Sequence, residues 1–371
     1  MAGLRDTLEL LSNEIGPSGR EKAVRNRLRE MFSDPSDRFS VDALGNAYVY
    51  RTGAGDEPRL RVLVAAHMDE VGFIVTRVEK SGLLRFEPVG GLDARQLLAK
   101  RVLIGDDRVP GVIGAQPPHL LDDDDERRAP KMESLAIDIG AASEAEAKAK
   151  VSEGDYGAFA TRFSVLSGED SPGLAGGPAG GPAGASWPTV LGKAFDDRAG
   201  CSVLVELLRT SYPVDLIGAF TVQEEVGLRG ARVAAHREAP DAAIVLEGTV
   251  CDDLPLPEDE DETPVTRLGG GPAVTLMDRR HVSHPGLLRL LEETAAAEKI
   301  AIQYKSPGIG ATDAGALHLA HEGVPAITVA TPCRYIHGPA AILNLNDLHA
   351  TFALVGAALR RLTRDYLTFD R

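Results

Sequence analysis

Histidine and carboxylate side chains follow several apolar runs of this sequence, at spacings that suit metal binding and proton transfer. His67 and Asp69 end the run RLRVLVAAHMD. Because residues i and i+2 of a strand lie on the same face, Asp69 can accept the second ring N–H of His67. This arrangement fixes the tautomer of a metal-binding histidine. A structural histidine with a polar neighbour has the same local pattern, so the tripeptide alone leaves both interpretations open.

Two pairs of adjacent acids stand at other predicted element ends. Asp196 and Asp197, in GKAFDDRAG, directly precede a predicted helix. Neighbouring carboxylates stay ionised most easily beside cations, whereas a helix N-cap with a first-turn acid is the alternative. Glu224 and Glu225, in AFTVQEEVGLRGA, end an apolar strand. One of them can ligate a metal while the other holds a water molecule, and a solvated strand end is the alternative.

Glu247 and His337 complete the set. Glu247 ends the apolar run DAAIVLE. His337 lies in the segment TPCRYIHGP, which follows the predicted strand AITVA. For His337 the alternative is an ordinary loop histidine. Open α/β sheets place their sites at the C-terminal ends of strands, so these side chains should converge. Imidazole with carboxylates favours zinc, cobalt or manganese over calcium. The pattern predicts two adjacent divalent cations with a bridging carboxylate, which activate water for attack on a carbonyl, and one spare glutamate as base.

Regular alternation of strands and helices after residue 188 must position these groups. The alternation runs from a helix that begins near Arg198 to a long terminal helix that begins at Leu345. It predicts an α/β fold, with a mostly parallel sheet flanked by helices. The apolar run 60–66 fits this sheet as a strand. Two amphipathic N-terminal helices and a hairpin that bends at Gly45 and Asn46 precede it.

Residues 72–187 do not show this alternation of strands and helices. Short β-like pieces, RFSVL (162–166) among them, alternate with glycine, proline and acidic turns, which is typical of a small barrel or sandwich. We therefore predict one α/β domain, 1–71 plus 188–371, interrupted by an inserted β domain over 72–187. Residues 168–186 are rich in glycine, proline and alanine. They predict a flexible loop, because such a segment cannot bury a core.

Composition narrows the function classes. The 371 residues carry 40 Lys+Arg and 55 Asp+Glu, a formal net charge of −15, so we exclude a nucleic-acid partner. No apolar stretch reaches about 18 residues, and the N-terminal segment lacks the uncharged core of a signal peptide, so we expect no membrane partner. Cys201, Cys251 and Cys333 are far apart and form no CxxC pair. A cytoplasmic, reducing location is the expectation.

Six motifs, in this order along the chain, resemble those of the M42 metallo-aminopeptidases: AAHMDEVGF, KAFDDRAG, QEEVGLRGA, LEGT, ATDAGALH and RYIHGP. This family includes the tetrahedral and glutamyl aminopeptidases, and the similarity extends over nearly the whole chain. The resemblance implies release of N-terminal amino acids from peptide substrates. It also implies a PDZ-like or barrel insert used in dimerisation, and a homo-oligomer that can reach a hollow dodecamer. Many members have Asp where Glu247 stands, and the Gly/Pro-rich insert is unlike the usual compact join.

The resemblance also implies a role for each residue of the set. Two divalent metal ions, zinc or cobalt with manganese as a further option, would bind to each subunit. Glu224 would be the general base and Asp69 would orient His67, while the peptide between Asp196 and Asp197 would be cis. The implied ligand sets are His67, Asp196 and Glu247 for one metal and Asp196, Glu225 and His337 for the other.

Two further residues and three other functions stay open. His119, in GAQPPHLL, resembles a family segment that reaches towards the catalytic pocket, or it is a loop histidine. Asp313, in GATDAGALH, is either a partner of the site or a helix N-cap. One alternative function is a glycoside hydrolase of the endoglucanase kind, which has no use for the histidines. The others are an N-acyl amino acid deacylase and a non-enzymatic protein braced by its metals.

Overall fold

A large mixed sheet and a closed β-barrel make up the fold in the computed structural model. The structure describes residues 3–34, 36–114, 129–166, 188–254 and 264–369. In chain order the strands are β1 (Arg38–Val41), β2 (Ala47–Arg51), β3 (Arg61–His67), β4 (Gly72–Val78), β5 (Leu84–Val89), β6 (Arg101–Ile104), β7 (Val109–Gly114), β8 (Ala136–Asp138), β9 (Tyr156–Phe159), β10 (Ser164–Val165), β11 (Thr189–Gly192), β12 (Asp215–Thr221), β13 (Ala242–Cys251), β14 (Ala273–Thr275), β15 (Gln303–Lys305), β16 (Ala326–Arg334) and β17 (Ala341–Asn344). The helices are α1 (Leu4–Ser12), α2 (Lys22–Met31), α3 (Ala94–Leu97), α4 (Glu144–Lys148), α5 (Phe195–Leu208), α6 (Arg229–Glu238), α7 (Pro285–Glu298), α8 (Ala314–Leu317) and α9 (Leu345–Arg361).

The large sheet has a parallel centre and antiparallel edges. Its strands run in the order β1-β2-β12-β3-β13-β16-β17-β11-β10, with β14 paired to β16 and β15 paired to β14. The pairs β12·β3, β3·β13 and β13·β16 are parallel. Strands β2 and β17 join this centre in antiparallel pairs, with β12 and β16 respectively. The predicted parallel arrangement therefore describes the four central strands, which β2 and β17 flank in the antiparallel direction.

Helices cover both faces of the central strands. Along β3, Val62 and Val64 point into the larger core, which α1, α2, α5, α7 and α9 cover. Leu63 and Ala65 alternate to the other face, which α6 and α8 cover with small residues such as Ala231. A strand that is buried on both faces has a uniformly apolar sequence, as β3 does. Polar side chains therefore reach open space at the strand ends, where the histidines and carboxylates stand.

Strands β4 to β9 close the small barrel in the order β4-β5-β8-β7-β6-β9. Its separate core includes Phe73 and Phe86, whose ring centroids are 5.5 Å apart in an edge-to-face arrangement. Ser164 and Val165, which the sequence pattern places in the insert, pair instead with β11 in the large sheet. The expectation for this piece is wrong because a short apolar alternation does not specify which sheet edge it joins. The Gly/Pro-rich segment 168–186 lies outside the described residues.

All three cysteines, Cys201, Cys251 and Cys333, are buried and unpaired. They therefore form no disulfide framework, as their spacing predicts. Within the described ranges, no helix combines the length and the apolar character that a membrane crossing needs.

Candidate active site

His67 ends β3 and turns its ring into a buried group of carboxylates. Its Nε2 lies 3.1 Å from Asp196 Oδ1 and 3.1 Å from Glu247 Oε1. Its Nδ1 lies 3.1 Å from the carbonyl oxygen of Asp69 and 3.5 Å from the Oδ1 of the same residue. A contact at one ring nitrogen orients the other, here towards two carboxylates. Asp69 thus contacts His67, with its backbone carbonyl nearer than its carboxylate.

Asp196 lies between the two histidines. Its Oδ1 faces His67, and its Oδ2 lies 3.4 Å from His337 Nε2. The peptide that joins it to Asp197 is cis. The chain passes this close to β13 because residue 248 is glycine: a Cβ on Gly248 would lie 2.8 Å from the Cα of Asp196. One carboxylate therefore presents one oxygen to each imidazole.

Asp197 supports the same turn with backbone hydrogen bonds. Its Oδ1 accepts the N–H of Gly200 at 2.8 Å, and its Oδ2 accepts the N–H of His67 at 3.2 Å. Asp196 and Asp197 have non-helical backbone angles at the start of α5. Accepting an amide three residues ahead is the contact that an N-cap makes. Each interpretation of the acidic pair therefore describes one of its two residues. Asp197 caps the helix, and Asp196 faces the histidines as a candidate metal ligand.

Asp69 also holds the turn that carries Glu224 and Glu225. Its Oδ1 accepts the N–H of Glu224 at 3.0 Å, and its Oδ2 accepts the N–H of Glu225 at 3.1 Å. Ser18 Oγ donates to the same Oδ2 at 2.6 Å. Burial by itself would raise the pKa of Asp69, but hydrogen bonds from His67, Ser18 and the Glu224 amide hold that pKa below its usual range. Asp69 is therefore ionised and positions the glutamate pair as well as His67.

The three glutamates of the site are sheltered from water, so the solvated strand end is wrong for Glu224 and Glu225. Glu224 and Glu247 are buried, and the side chain of Glu225 is 5% exposed. Burial raises the pKa of Glu225 to about 7, although His337 opposes the shift. Burial, with Glu247 as a nearby like charge, also raises the pKa of Glu224 well above its usual value. The site holds more carboxylates than its two imidazoles can balance.

His337 reaches the site from the loop after β16, with a left-handed backbone angle φ of 58°. Its Nε2 lies 3.4 Å from Glu225 Oε2, and its side chain is 40% exposed. Burial lowers the pKa of this ring, but Asp196 and Glu225 outweigh it and raise the pKa to about 9. A loop after β5 packs behind the ring, since a Cβ on Gly91 would lie 3.2 Å from His337 Nδ1. His337 is a loop histidine whose ring faces the carboxylates.

Asp313 is buried at the start of α8 and makes no capping hydrogen bond. Its Oδ2 accepts the hydroxyl of Thr221 at 2.5 Å, while its Oδ1 has no partner among the described residues. Burial raises the pKa of this carboxyl to about 6, although the Thr221 hydrogen bond opposes the shift. Asp313 therefore occupies the N-cap position of α8, but its side chain turns to the end of β12 instead of capping the helix. His119 lies outside the described residues.

The donor set fits divalent metal ions. Two atoms that bind one ion at about 2.0–2.2 Å lie about 3–3.5 Å apart, and the four imidazole–carboxylate pairs above are 3.1–3.4 Å apart. Glu247 Oε2 is buried without a hydrogen-bond partner in the described part of the chain, so a cation would satisfy it. Two groups each offer ligand atoms within 4.8 Å of one another: His67, Asp196 and Glu225, and His67, Asp197 and Glu247.

The M42 glutamyl aminopeptidase family matches residues 45–174 and 183–354 of this chain. The chain belongs to this family. A glutamyl aminopeptidase from Lactococcus lactis is 32% identical to this chain, over 93% of this chain and 92% of the relative. A lysyl aminopeptidase from Pyrococcus furiosus is 30% identical, over 94% of each chain. The M42 enzyme is therefore an aminopeptidase, a hydrolase of a metal-dependent family.

Solved structures of M42 relatives have the same sheet and barrel. The TET aminopeptidase of a Thaumarchaeota archaeon from marine sediment has a TM-score of 0.87 and 33% identity, over 98% of both chains. The TET1 peptidase of Pyrococcus horikoshii has a TM-score of 0.80 and 32% identity, over 97% of this chain and 100% of that one. That peptidase can assemble into a tetrahedron or a large octahedral shell. The α/β fold with an inserted barrel is confirmed.

Sequence reasoning did not find the buried ion pair beside the site. Lys193 Nζ donates to the two carboxylate oxygens of Glu70 at 2.7 and 2.8 Å, and Arg198 Nη2 lies 3.5 Å from Glu70. All three side chains are buried. Glu70 follows Asp69 and Lys193 precedes Asp196 by three residues, so the pair joins two segments of the site. The sequence feature that could have predicted this pair is the charged residue beside each motif, Glu70 and Lys193, because a buried charge needs a partner.

Proposed function

We propose that this enzyme is a dinuclear metal-dependent aminopeptidase that releases N-terminal amino acids from peptides. The observation that carries the proposal is the Asp196 carboxylate, which has one oxygen on each histidine. Asp196 rather than Asp197 is the bridge, because the oxygens of Asp197 accept two backbone N–H groups. The proposed ligands are His67, Asp196 and Glu247 for one ion and Asp196, Glu225 and His337 for the other. Zinc or cobalt suits this set, with manganese as a further candidate.

Glu224 is the proposed general base. Bound ions supply polarisation of the peptide carbonyl and a lowered pKa of the attacking water. Glu224 takes a proton from the attacking water while the oxygen of that water forms a bond to the first carbonyl carbon of the peptide. The same carboxyl then donates that proton to the amine nitrogen that leaves as the C–N bond breaks. Burial, which raises the pKa of Glu224, makes its carboxylate a stronger base, and Asp69 positions it through the Glu224 N–H.

The substitution Glu224→Gln tests this assignment. Glutamine keeps the size of the side chain but cannot accept the proton, so we expect kcat on aminoacyl p-nitroanilides to fall by about 10²- to 10⁴-fold. Bound metal, measured by elemental analysis, should stay at two ions per subunit. The matched control is Glu298→Gln, at the exposed end of α7. Near-native turnover of Glu224→Gln would show that another group is the base.

Substrate and chelation experiments separate this function from its alternatives. An aminopeptidase needs a free N-terminus, whereas a deacylase prefers an N-acylated amino acid. A glycoside hydrolase would act on cellulosic substrates through two carboxylates and would survive chelation. A protein in which the metals only brace the fold would cleave none of these substrates. Activity on free aminoacyl substrates, lost on chelation and restored by zinc, cobalt or manganese, supports the peptidase alone.

We further propose that the enzyme forms a homo-oligomer in the cytoplasm. The assembly of the Pyrococcus horikoshii relative supports the first part. The three buried, unpaired cysteines suit a reducing compartment. Light scattering on the purified enzyme measures the size of the assembly, and a stable monomer at micromolar concentration would contradict the proposal.

A further inference from the structure

The barrel insert contacts the α/β domain directly behind one half of the candidate site. The contact is made by the connection between the barrel strands β5 and β6, which begins with Gly90 and Gly91. Among the described residues, the atoms within 4 Å of a Cβ on Gly91 both belong to the ring of His337, with Nδ1 at 3.2 Å and Cε1 at 3.7 Å. A Cβ on Gly90 would lie 3.3 Å from the Cβ of Glu225. The two glycines therefore lie against two residues that are proposed to hold the same metal ion.

Two further contacts join the insert to the loop that carries His337. A Cβ on Gly338 would lie 2.7 Å from the Oε1 of Gln96, a residue of α3. Thr161, which follows β9, donates its hydroxyl to the carbonyl oxygen of Pro339 at 2.6 Å. Together with Gly91, these residues contact three consecutive positions, 337–339, from the side of the barrel.

The loop needs this support because its backbone is strained. Tyr335 and His337 have left-handed φ angles of 63° and 58°. Residues other than glycine adopt this conformation at an energetic cost, and it persists only where the surrounding structure enforces it. The side chain of His337 is 40% exposed, whereas that of His67 is 2% exposed. The α/β domain thus encloses His67, while the ring of His337 depends on contacts from the insert.

We propose that Gly90 and Gly91 of the barrel insert are positioning residues for the second metal ion, and that they act through Glu225 and His337. The inference rests on the proposed function, in which these two residues and Asp196 bind that ion. The insert therefore has a role in the site itself, in addition to its role in assembly.

The absence of a side chain at position 91 matters because metal sites are sensitive to small displacements. Ligand distances in such sites hold to within about 0.2 Å. A methyl group 3.2 Å from His337 Nδ1 is closer than an ordinary van der Waals contact, so the ring would move by a few tenths of an ångström. That movement takes Nε2, on the other side of the ring, away from its proposed ion. A side chain on Gly91 should therefore weaken the second metal ion and leave the first in place.

The test measures metal binding by Gly91→Val. The cobalt-loaded enzyme is titrated with a competing chelator, and bound cobalt is counted by elemental analysis. The wild-type enzyme should hold two ions per subunit. Gly91→Val should hold one ion with an affinity within about twofold of the wild type and the other about 10- to 100-fold more weakly, the range typical when the support of a metal ligand is lost. Gly91→Ala, which adds a single methyl group, should have the same effect to a smaller extent.

Two variants show whether the contact itself is responsible. Gly114→Val is the matched control, because Gly114 ends β7 of the same barrel and a Cβ there has no described neighbour within 4 Å. It should retain both ions with wild-type affinity. Thr161→Val removes the hydrogen bond to Pro339 and leaves both glycines in place. It should weaken the second ion by up to about tenfold, the effect of one hydrogen bond.

His337→Ala shows whether Gly91 acts through the imidazole. In this background the ring that a larger side chain would displace is gone, so Gly91→Val should have no further effect on cobalt binding. An additional loss of cobalt affinity in that background overturns the inference. Equal weakening of both ions in a folded Gly91→Val enzyme overturns it as well, because the contact would then have no preference for one ion.

The remaining outcomes separate this inference from the proposed function. If Gly91→Val holds both ions as tightly as the wild type, the inference is wrong and the aminopeptidase stays intact. Should Gly91→Val fail to fold, Gly91→Ala and Thr161→Val still decide. A wild-type enzyme that holds one ion or none refutes the dinuclear function itself.

Discussion

Asp69→Asn is the most informative substitution near the site, because the Asp69 carboxylate holds the Glu224–Glu225 turn in place through hydrogen bonds alone. Its two oxygens accept the N–H groups of Glu224 and Glu225, at 3.0 and 3.1 Å, and the Ser18 hydroxyl at 2.6 Å. Asparagine keeps the shape but has one acceptor oxygen and a donor NH₂ group. At least one of the two glutamate amides would therefore face another donor. The turn that positions the proposed base would shift.

The size of the effect follows from the hydrogen bonds that change. Losing one hydrogen bond to a charged acceptor costs about 1.5–3 kcal/mol. If the whole of that loss raises the activation free energy, kcat/KM falls by about 10- to 100-fold. The same range is typical when the partner of a metal-binding histidine is removed. We expect Asp69→Asn to lower kcat and to weaken metal binding, with a smaller change in KM.

Steady-state kinetics on aminoacyl p-nitroanilides and metal titration against a competing chelator measure both effects. Asp107→Asn, in an exposed turn of the barrel, is the matched control and should leave kcat and metal affinity unchanged. A variant with lower thermal stability but unchanged kcat and metal affinity would show that Asp69 has a structural role only. Asp69→Asn with kcat/KM within threefold of the wild type would refute the reasoning.

Three further predictions concern charge in the interior. Removing the metals by chelation should abolish activity and lower the melting temperature, because the surplus carboxylates lose their counter-charge; an apoenzyme with full activity contradicts the metal assignment. Lys193→Met should destabilise the fold by about 3–5 kcal/mol, because Glu70 is left unpaired, whereas the double variant Lys193→Met/Glu70→Gln should lose less than the sum of the single variants. Asp347→Asn should change the pH dependence of thermal unfolding. Burial raises the pKa of Asp347 to about 6 from 3.8, so its stabilising contribution is present below pH 3.8 and is lost as the pH rises through 6. The stability of the wild type relative to the variant should therefore fall by about 2 kcal/mol between pH 4 and 7, and parallel curves would contradict the shift.

Local patterns were sufficient to predict most of the elements. The apolar run before His67 predicts a strand buried on both faces, and β3 has helices on each side. The short β pieces after residue 72 predict a small closed β domain, which is the barrel. The edges were not predictable in this way. Ser164 and Val165 join the large sheet because they pair with β11, which is itself held there by its pairing with the remote strand β17.

The candidate ligands could also be found from the sequence, because metal-binding groups that follow apolar strands are recognisable one motif at a time. Which of these residues faces a histidine and which accepts backbone amides was not predictable. Asp196 and Asp197 are neighbours of the same type, yet one faces two histidines and the other accepts two backbone amides. The acidic character of both residues is the same in the sequence. Only the path of the chain at the start of α5 separates them.

The sequence by itself therefore determined which residue types stand at the strand ends, and hence the class of chemistry, because burial and period are local properties. Only the tertiary structure decided which charges have partners. Lys193 meets Glu70 across 123 positions of the chain, and Asp196 meets His67 across 129. The physical reason is that a pairing distance depends on the packing of strands and helices from remote segments. Side-chain type alone does not contain that distance.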